Sequence, residues 1–109
     1  MKRYIAILAL LAPLAAGAAS FDCSKASAPD EKAICAHLAL NDKDVEMATK
    51  YQFLKGLFAM GARGALQDSQ QAWLKPRRQC AGSVSCLNRA YDQRLRELDK
   101  VYAGINKPL

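Results

Sequence analysis

The sequence predicts an all-α fold, namely a small disulfide-stapled helical bundle of three long helices plus one short N-terminal helix. Alanine, leucine, glutamine, lysine and arginine, which are good helix formers, dominate the chain, and no run alternates between apolar and polar residues as a strand does. The 4 cysteines are an even number, which in a small exported protein indicates disulfide bonds. A chain of 109 residues forms one small domain, which gains stability from such crosslinks because its core is limited.

The chain opens with MKRYIAILALLAPLAAGAAS, which has the three parts of a secretory signal peptide. Two basic residues precede an apolar run, and small residues of the kind found at a cleavage site follow it. We expect cleavage near Ala18 or Ala19, so that residues 1–19 form the signal peptide and residues 20–109 a single helical domain. The apolar run is shorter than the roughly 20 residues that a membrane span needs. The expected location is therefore periplasmic or secreted.

The net charge of the chain and the residues before the first cysteine bear on its partners and on its attachment to a membrane. Lys and Arg outnumber Asp and Glu by 16 to 10, which gives a formal net charge of +6. The basic cluster of Lys75, Arg77 and Arg78 would suggest nucleic-acid binding in a cytosolic protein, but export argues against that partner. Cys23 follows Ser20, Phe21 and Asp22, whereas a lipid-attachment site has small or aliphatic residues there. We therefore expect neither a membrane span nor a lipid anchor.

Start signals and apolar spacing predict the first two helices. The run SAPD at residues 27–30 supplies a capping serine, a proline and an acid, which predicts a short helix over residues 28–38 with Ile34 and Leu38 facing the core. Asn41 and Asp44 are a second start signal. A second helix is predicted from there, because apolar residues recur at spacings of four, three and four, which are Met47, Tyr51, Leu54 and Phe58. The run MGARG at residues 60–64 is expected to break this helix.

Two more helices are predicted in the second half of the chain. The third covers residues 65–79, and Pro76 predicts either a kink or an end near Lys75 followed by a restart. The turn AGS then leads into a fourth helix over residues 84–103, with Asp92 and Arg96 as a surface ion pair. The side chains expected to face the core are Leu66, Trp73 and Leu74 in the third helix, and Leu87, Tyr91, Leu95, Leu98 and Val101 or Tyr102 in the fourth.

Four cysteines allow three disulfide pairings. We favour Cys23 with Cys35 and Cys80 with Cys86, because each of these loops closes within one supersecondary unit. An up-and-down path also brings Cys35 toward the turn between the third and fourth helices, so a crossed pairing stays open. The sequence has no CxxC motif and one histidine, His37, so we predict neither a metal site nor a cofactor.

The cysteines lie in two motifs that resemble those of a known family. The first, CSKASAPDEKAIC, and the second, QQAWLKPRRQC followed by SCLNRAYDQR, resemble the signatures of the LprI-like family of exported bacterial proteins. Arg78 and Pro76 depart from its usual pattern, in which an acid and a continuous helix are common. Beyond the cysteines, the residues that match the family motifs are Lys25, Glu31, Ile34, Tyr51, Trp73, Arg77, Leu87, Tyr91 and Arg94.

Most of these motif residues have a structural interpretation. Trp73 has the spacing of a core anchor, and Tyr51 and Tyr91 are expected to pack with their hydroxyl groups at the rim of the core. Glu31 is expected to stabilise the positive end of the first helix. Arg77 and Arg94 have two open interpretations, since each could bind a carboxylate or a helix end inside the fold, or point outward to a partner.

The function implied by the resemblance is inhibition of lysozyme, so we predict a binding protein and not an enzyme. No Ser/His/Asp or Cys/His arrangement is present once the thiols are oxidised. Secreted animal lysozymes of the common type are basic, so a basic inhibitor needs a local acidic patch, for which the candidates are Asp42, Asp44 and Glu46. The alternative is a periplasmic module that binds an envelope component or a protein partner through Lys75, Arg77 and Arg78. The oligomeric state stays open.

Overall fold

A computed structural model describes residues 19–105 of the chain; apart from Ala19, the predicted signal peptide lies outside the described residues. A short 3₁₀-helix at Cys23–Lys25 precedes four α-helices, which are α1 at Pro29–Ala36, α2 at Leu38–Leu57, α3 at Met60–Gln79 and α4 at Val84–Ala103. No strand occurs in the described part of the chain. The predicted all-α architecture of three long helices and one short helix is therefore confirmed.

The three long helices follow an up-down-up path. Helices α2 and α4 run parallel, since Asp44 contacts Tyr91 and Lys50 contacts Asp99 in the same order along both helices. Helix α3 runs in the opposite direction, and Trp73 in its second half bonds to Ala90 near the start of α4. Helix α1 packs against α2 and also contacts α3 and α4. The path places the start of α2, the end of α3 and the start of α4 at one end of the bundle.

The core is built from apolar side chains of all four helices. The predicted inward residues Ile34, Met47, Leu54, Leu66, Trp73, Leu87, Tyr91 and Leu98 are buried. A second group, Tyr51, Phe58, Leu74, Leu95 and Val101, is partly buried and packs against that core. Tyr102, named as the alternative to Val101, is 44 % exposed, so Val101 is the inward residue of the two.

The boundary between the first two helices differs from the prediction. Helix α1 ends at Ala36, His37 has an extended backbone, and α2 already begins at Leu38. The start signal at Asn41 and Asp44 therefore lies inside α2, where Asp44 is buried by long-range contacts. The expectation that Leu38 faces the core is wrong, because the break at His37 places this side chain on the surface with 77 % exposure.

Helix α3 is longer than predicted. The chain breaks at Phe58 and Ala59, which are both extended, and the run MGARG forms the first turns of α3. Its two glycines cost the helix some stability, but they lie near its start, where packing of the later residues compensates. Helix α3 also continues through Pro76 to Gln79, so the alternative in which it ends near Lys75 is wrong.

Two disulfide bonds hold the end of the bundle where α1, α3 and α4 meet. Cys23 bonds to Cys35 and Cys80 to Cys86, with Cα–Cα distances of 5.9 and 5.4 Å, so the favoured local pairing is confirmed. The second bond closes the turn between α3 and α4, in which Ala81 has a left-handed φ of 51°. A residue with a Cβ rarely adopts this conformation, so the tight turn gains from the crosslink.

Helix α4 spans Val84–Ala103, which confirms the predicted range, and the Ser83 hydroxyl caps it by accepting from the Cys86 N–H at 3.3 Å. Within residues 19–105, Asp92 and Arg96 do not form the expected surface ion pair. Asp92 instead binds Lys43 of α2 at 2.8 Å, because the parallel packing of α2 and α4 brings that cation closer. Within residues 19–105, no helix has the combined length and apolar character of a membrane span.

Candidate functional site

Two acidic side chains are buried at the disulfide end of the bundle, and each has defined partners. Asp30 of α1 is 2 % exposed and accepts from the Nε of Arg77 on α3 at 2.8 Å. Asp44 of α2 is 0 % exposed and accepts from the Tyr91 hydroxyl on α4 at 2.7 Å. Burial, followed by the negative charge of Asp44, raises the pKa of Tyr91. Its hydroxyl therefore stays protonated and acts as a donor.

The segment before α1 closes this buried group. The backbone N–H of Ser20 donates to the second oxygen of Asp44 at 2.6 Å. The ring of Phe21 lies against the guanidinium group of Arg77, 5.5 Å from its central carbon, and the Trp73 ring lies 6.0 Å from the same carbon. Contacts between a guanidinium group and aromatic faces are favourable and fix its orientation. The N-terminal segment is therefore part of the packed domain.

The second buried arginine has a separate set of partners. Arg94 of α4 donates to Gln70 and Ser69 of α3 and to Glu97 on its own helix, at 2.9, 3.0 and 3.1 Å. Both arginines thus take the inward interpretation of the two that the sequence left open. Each links helices, so their contribution is to packing and orientation and not to a partner-binding surface.

The remaining motif residues are also structural. The Trp73 indole is 5 % exposed, donates to the Ala90 carbonyl at 3.0 Å and packs edge-on against the Tyr91 ring, as predicted for a core anchor. The prediction for the Tyr91 hydroxyl is wrong, since it lies inside the core on Asp44 and not at the rim. Glu31 accepts from the backbone N–H of Ser27 and Ala28 and so caps α1, whereas Lys25 is exposed.

Of the three acids predicted to form a patch, one is buried and two are exposed. Asp42 and Glu46 are exposed, but Asp44 between them points into the core. Glu46 also binds Lys50 at 3.1 Å, and Lys50 binds Asp99 on α4 at 2.8 Å. Lys50 therefore offsets part of the acidic charge on this face, and Asp44 cannot reach a partner.

Of the three residues in the predicted basic cluster, one is likewise buried and two are exposed. Lys75 and Arg78 are exposed on α3, whereas Arg77 is 7 % exposed and paired with Asp30. Lys75 and Arg77 are two positions apart and point about 200° apart around the helix, so they cannot both face solvent. Two neighbouring surface cations, Lys75 and Arg78, remain where the sequence suggested a cluster of three.

The residues of both cysteine-bearing motifs form the disulfides and the buried contacts described above. A comparison with known protein families matches the same part of the chain. The model of the family described as "Lysozyme inhibitor LprI" matches residues 23–98. The protein belongs to the LprI family. No curated protein and no solved structure matches the chain. The matched range contains all four cysteines, both buried acids and both buried arginines, so the LprI signature of this chain mainly encodes its fold.

One surface of this LprI-family protein was missed by the sequence analysis. At the end opposite the disulfides, four large apolar side chains are exposed, and we call this surface the apolar end: Phe53, Leu57, Met60 and Tyr102, which are 57 %, 50 %, 89 % and 44 % exposed. The rings of Phe53 and Tyr102 are in contact, with centroids 6.1 Å apart. The sequence does contain an indication of this surface, because Phe53 and Leu57 are four residues apart on α2 and lie outside the predicted core stripe.

Proposed function

We propose that the protein is an exported, non-catalytic inhibitor of lysozyme. The observation that carries this proposal is the match to the lysozyme inhibitor family over residues 23–98. The described side chains are consistent with a binding role, since the buried acids and arginines contact one another and hold helices together. A domain of this kind acts by presenting a surface.

The apolar end is the surface that we propose for the contact with lysozyme. Four of the six large apolar side chains that are exposed in residues 19–105 lie there. Large exposed apolar patches mark interaction sites, and aromatic residues and methionine are enriched at the centres of protein interfaces. The ion pairs of Lys50 with Glu46 and Asp99 lie beside this patch and supply a polar rim.

Electrostatic attraction is a weaker basis for the same contact. The chain is basic, with a net charge of +6, so it gains no long-range attraction to a basic lysozyme. The acidic patch that could have overcome this is reduced to Asp42 and Glu46, because Asp44 is buried, and Glu46 is paired with Lys50. We therefore expect binding to depend on apolar contact area and to change little between low and moderate salt concentration.

A lysis assay on bacterial cell walls tests both the activity and the surface. The mature protein is titrated into lysozyme, and the concentration that halves the rate of clearing is measured. Replacing both rings, Phe53→Ser with Tyr102→Ser, should raise this concentration at least about 30-fold, as expected for loss of an interface hot spot. Leu38→Ser is the control. Like the ring variant, it replaces an exposed apolar side chain by serine, but it lies at the other end of α2.

Two other results would change the assignment. If neutralising Asp42 and Glu46 abolishes inhibition while the ring variant inhibits normally, the contact lies on the acidic side of α2 and not at the apolar end. If the unmodified protein inhibits no lysozyme type at large molar excess, the lysozyme assignment is wrong. The alternative is then a periplasmic module that binds an envelope component or another protein, with the exposed cations Lys75 and Arg78 as its first candidates.

A further inference from the structure

Asp44 is the one buried acid of the described residues that has no cationic side chain as its partner. The buried polar side chains in this part of the chain are Asp30, Asn41, Asp44, Arg77 and Arg94. Arg77 is paired with Asp30, and Arg94 is paired with Glu97. The Asp44 carboxylate receives two uncharged donors, the Tyr91 hydroxyl and the Ser20 backbone N–H.

This arrangement leaves the Asp44 carboxylate without a directly bonded cation, since Arg77, which also lies near the Tyr91 hydroxyl, is paired with Asp30. A buried carboxylate is costly unless an opposite charge and hydrogen bonds replace its lost hydration. Both of its oxygens already have a donor, at 2.7 and 2.6 Å, so the hydrogen bonds are present but neither donor carries a positive charge. A charged group at the position of either donor would complete the site.

The position of the Ser20 nitrogen is well defined by its neighbours along the chain. Phe21 packs on the Arg77 guanidinium group, and Cys23 is bonded to Cys35 in α1. These two contacts hold the segment on both sides of Asp22 and direct its backbone toward Asp44. The shorter of the two Asp44 bonds is the one from Ser20.

We propose that Asp44 is the binding site for a new α-ammonium group, which is formed when the signal peptide is removed between Ala19 and Ser20. The inference rests on the predicted export of the chain and not on lysozyme binding. Hydrolysis of this peptide bond consumes one water molecule and leaves a carboxylate on Ala19 and an amino group on Ser20. A free α-amino group has an ordinary pKa of about 7.7 to 8.0, so it is mostly protonated at neutral pH.

Cleavage at this bond converts a neutral donor into a charged one, and the contacts of Phe21 and Cys23 hold its position. The bond to Asp44 is already charge-assisted through its acceptor, and an ammonium donor adds the attraction between two opposite charges in a buried site. The buried group then contains two acids, Asp30 and Asp44, and two cations, Arg77 and the Ser20 ammonium, so its charges balance. The mature domain is therefore more stable than the same domain with the signal peptide still attached.

The position of the first residue and the stability of the mature chain test this proposal. The mass of the exported, purified protein should correspond to a chain that begins at Ser20. A mature chain released with one additional glycine before Ser20 should unfold at a temperature about 10 °C lower or more, because it places a neutral amide on Asp44 again. The matched control is Ser20→Ala without the extra glycine, which changes the side chain, keeps the ammonium group and should melt normally.

A double-mutant cycle separates the ion pair from a general effect of the extension. In the Asp44→Asn background, the extra glycine should cause little or no further loss, because the carboxylate that the ammonium binds is gone. Equal losses in both backgrounds would overturn the proposal. It would also be overturned by an exported chain that begins at another residue, or by an extension that leaves the melting temperature of the wild-type chain unchanged. If Asp44→Asn does not fold, the extension alone decides between these outcomes.

Discussion

The two ends of the bundle differ in how they are held together. At the disulfide end, two covalent bonds, the buried pair of Asp30 and Arg77 and the N-terminal segment fix the ends of three helices. At the apolar end, α2 reverses into α3 through two extended residues without a crosslink, and large apolar side chains face solvent. One end therefore provides most of the specific constraints, and the other provides exposed contact surface.

This division follows from the size of the domain. A chain this short buries too little apolar surface to be very stable, so crosslinks and satisfied buried polar groups contribute a large share of its stability. Once the disulfide end supplies that share, apolar side chains such as Phe53 and Met60 can stay on the surface. If the two ends have these separate roles, substitutions of buried residues at the disulfide end should mainly change stability, and substitutions at the apolar end should mainly change binding.

The largest effect is expected for Trp73→Ala, which lies in the half of the core next to the disulfides. It removes a large buried side chain, its bond to the Ala90 carbonyl and its contact with the Tyr91 ring. The free energy of unfolding, measured by urea titration, should fall by about 3 to 5 kcal/mol. Trp73→Phe is the control that keeps an aromatic ring and loses the N–H. A loss of less than about 1 kcal/mol for Trp73→Ala would show that this region is not the stable half.

The two disulfides are expected to contribute unequally. The bond from Cys23 to Cys35 spans 12 residues of sequence and that from Cys80 to Cys86 spans 6. The longer loop loses more entropy in the unfolded state when it is closed, so replacing its cysteines by serine should cost about 3 kcal/mol, against about 2 kcal/mol for the shorter loop. Thermal unfolding of the two double-serine variants gives the order. The reverse order would indicate that the left-handed turn at Ala81 depends strongly on its crosslink.

Only a small effect on stability is expected at the apolar end. Phe53→Ser removes a ring that is 57 % exposed and contacts the ring of Tyr102. The loss should be about 1 kcal/mol or less, because an aromatic pair contributes roughly 0.5 to 1.5 kcal/mol. Leu38→Ser, at a more exposed position on the same helix, should stay within about 0.5 kcal/mol. A large destabilisation by Phe53→Ser would mean that the apolar end is part of the core and would remove the basis of the comparison.

The parts of the fold that depend on local signals were predictable from the sequence. Helix α4 was predicted with its observed bounds, because a regular apolar stripe follows directly after the capping residue Ser83. The disulfide pairing was predictable for a similar reason, since each loop is short. The run MGARG was predicted incorrectly, because its two glycines suggested a helix break. Packing of the later part of α3 keeps Met60 to Gly64 helical.

The buried polar contacts were not predictable, because their partners are far apart in the sequence. Asp44 and Tyr91 are 47 residues apart, and so are Asp30 and Arg77. From the sequence alone, Asp44 resembled a helix-start acid and Arg77 one member of a basic run. Their burial depends on the way α1, α3 and α4 pack around α2, and no local pattern contains that information.

The position of Trp73 has a consequence for spectroscopy. The protein contains 1 tryptophan, and that residue lies in the core with its N–H bonded to the Ala90 carbonyl. Its fluorescence therefore reports on the core next to the disulfides, and emission should shift to longer wavelength when that core opens to water. Ligand contacts confined to the apolar end should leave the emission maximum unchanged. The chain thus carries an intrinsic optical probe that distinguishes loss of structure from occupation of its exposed surface.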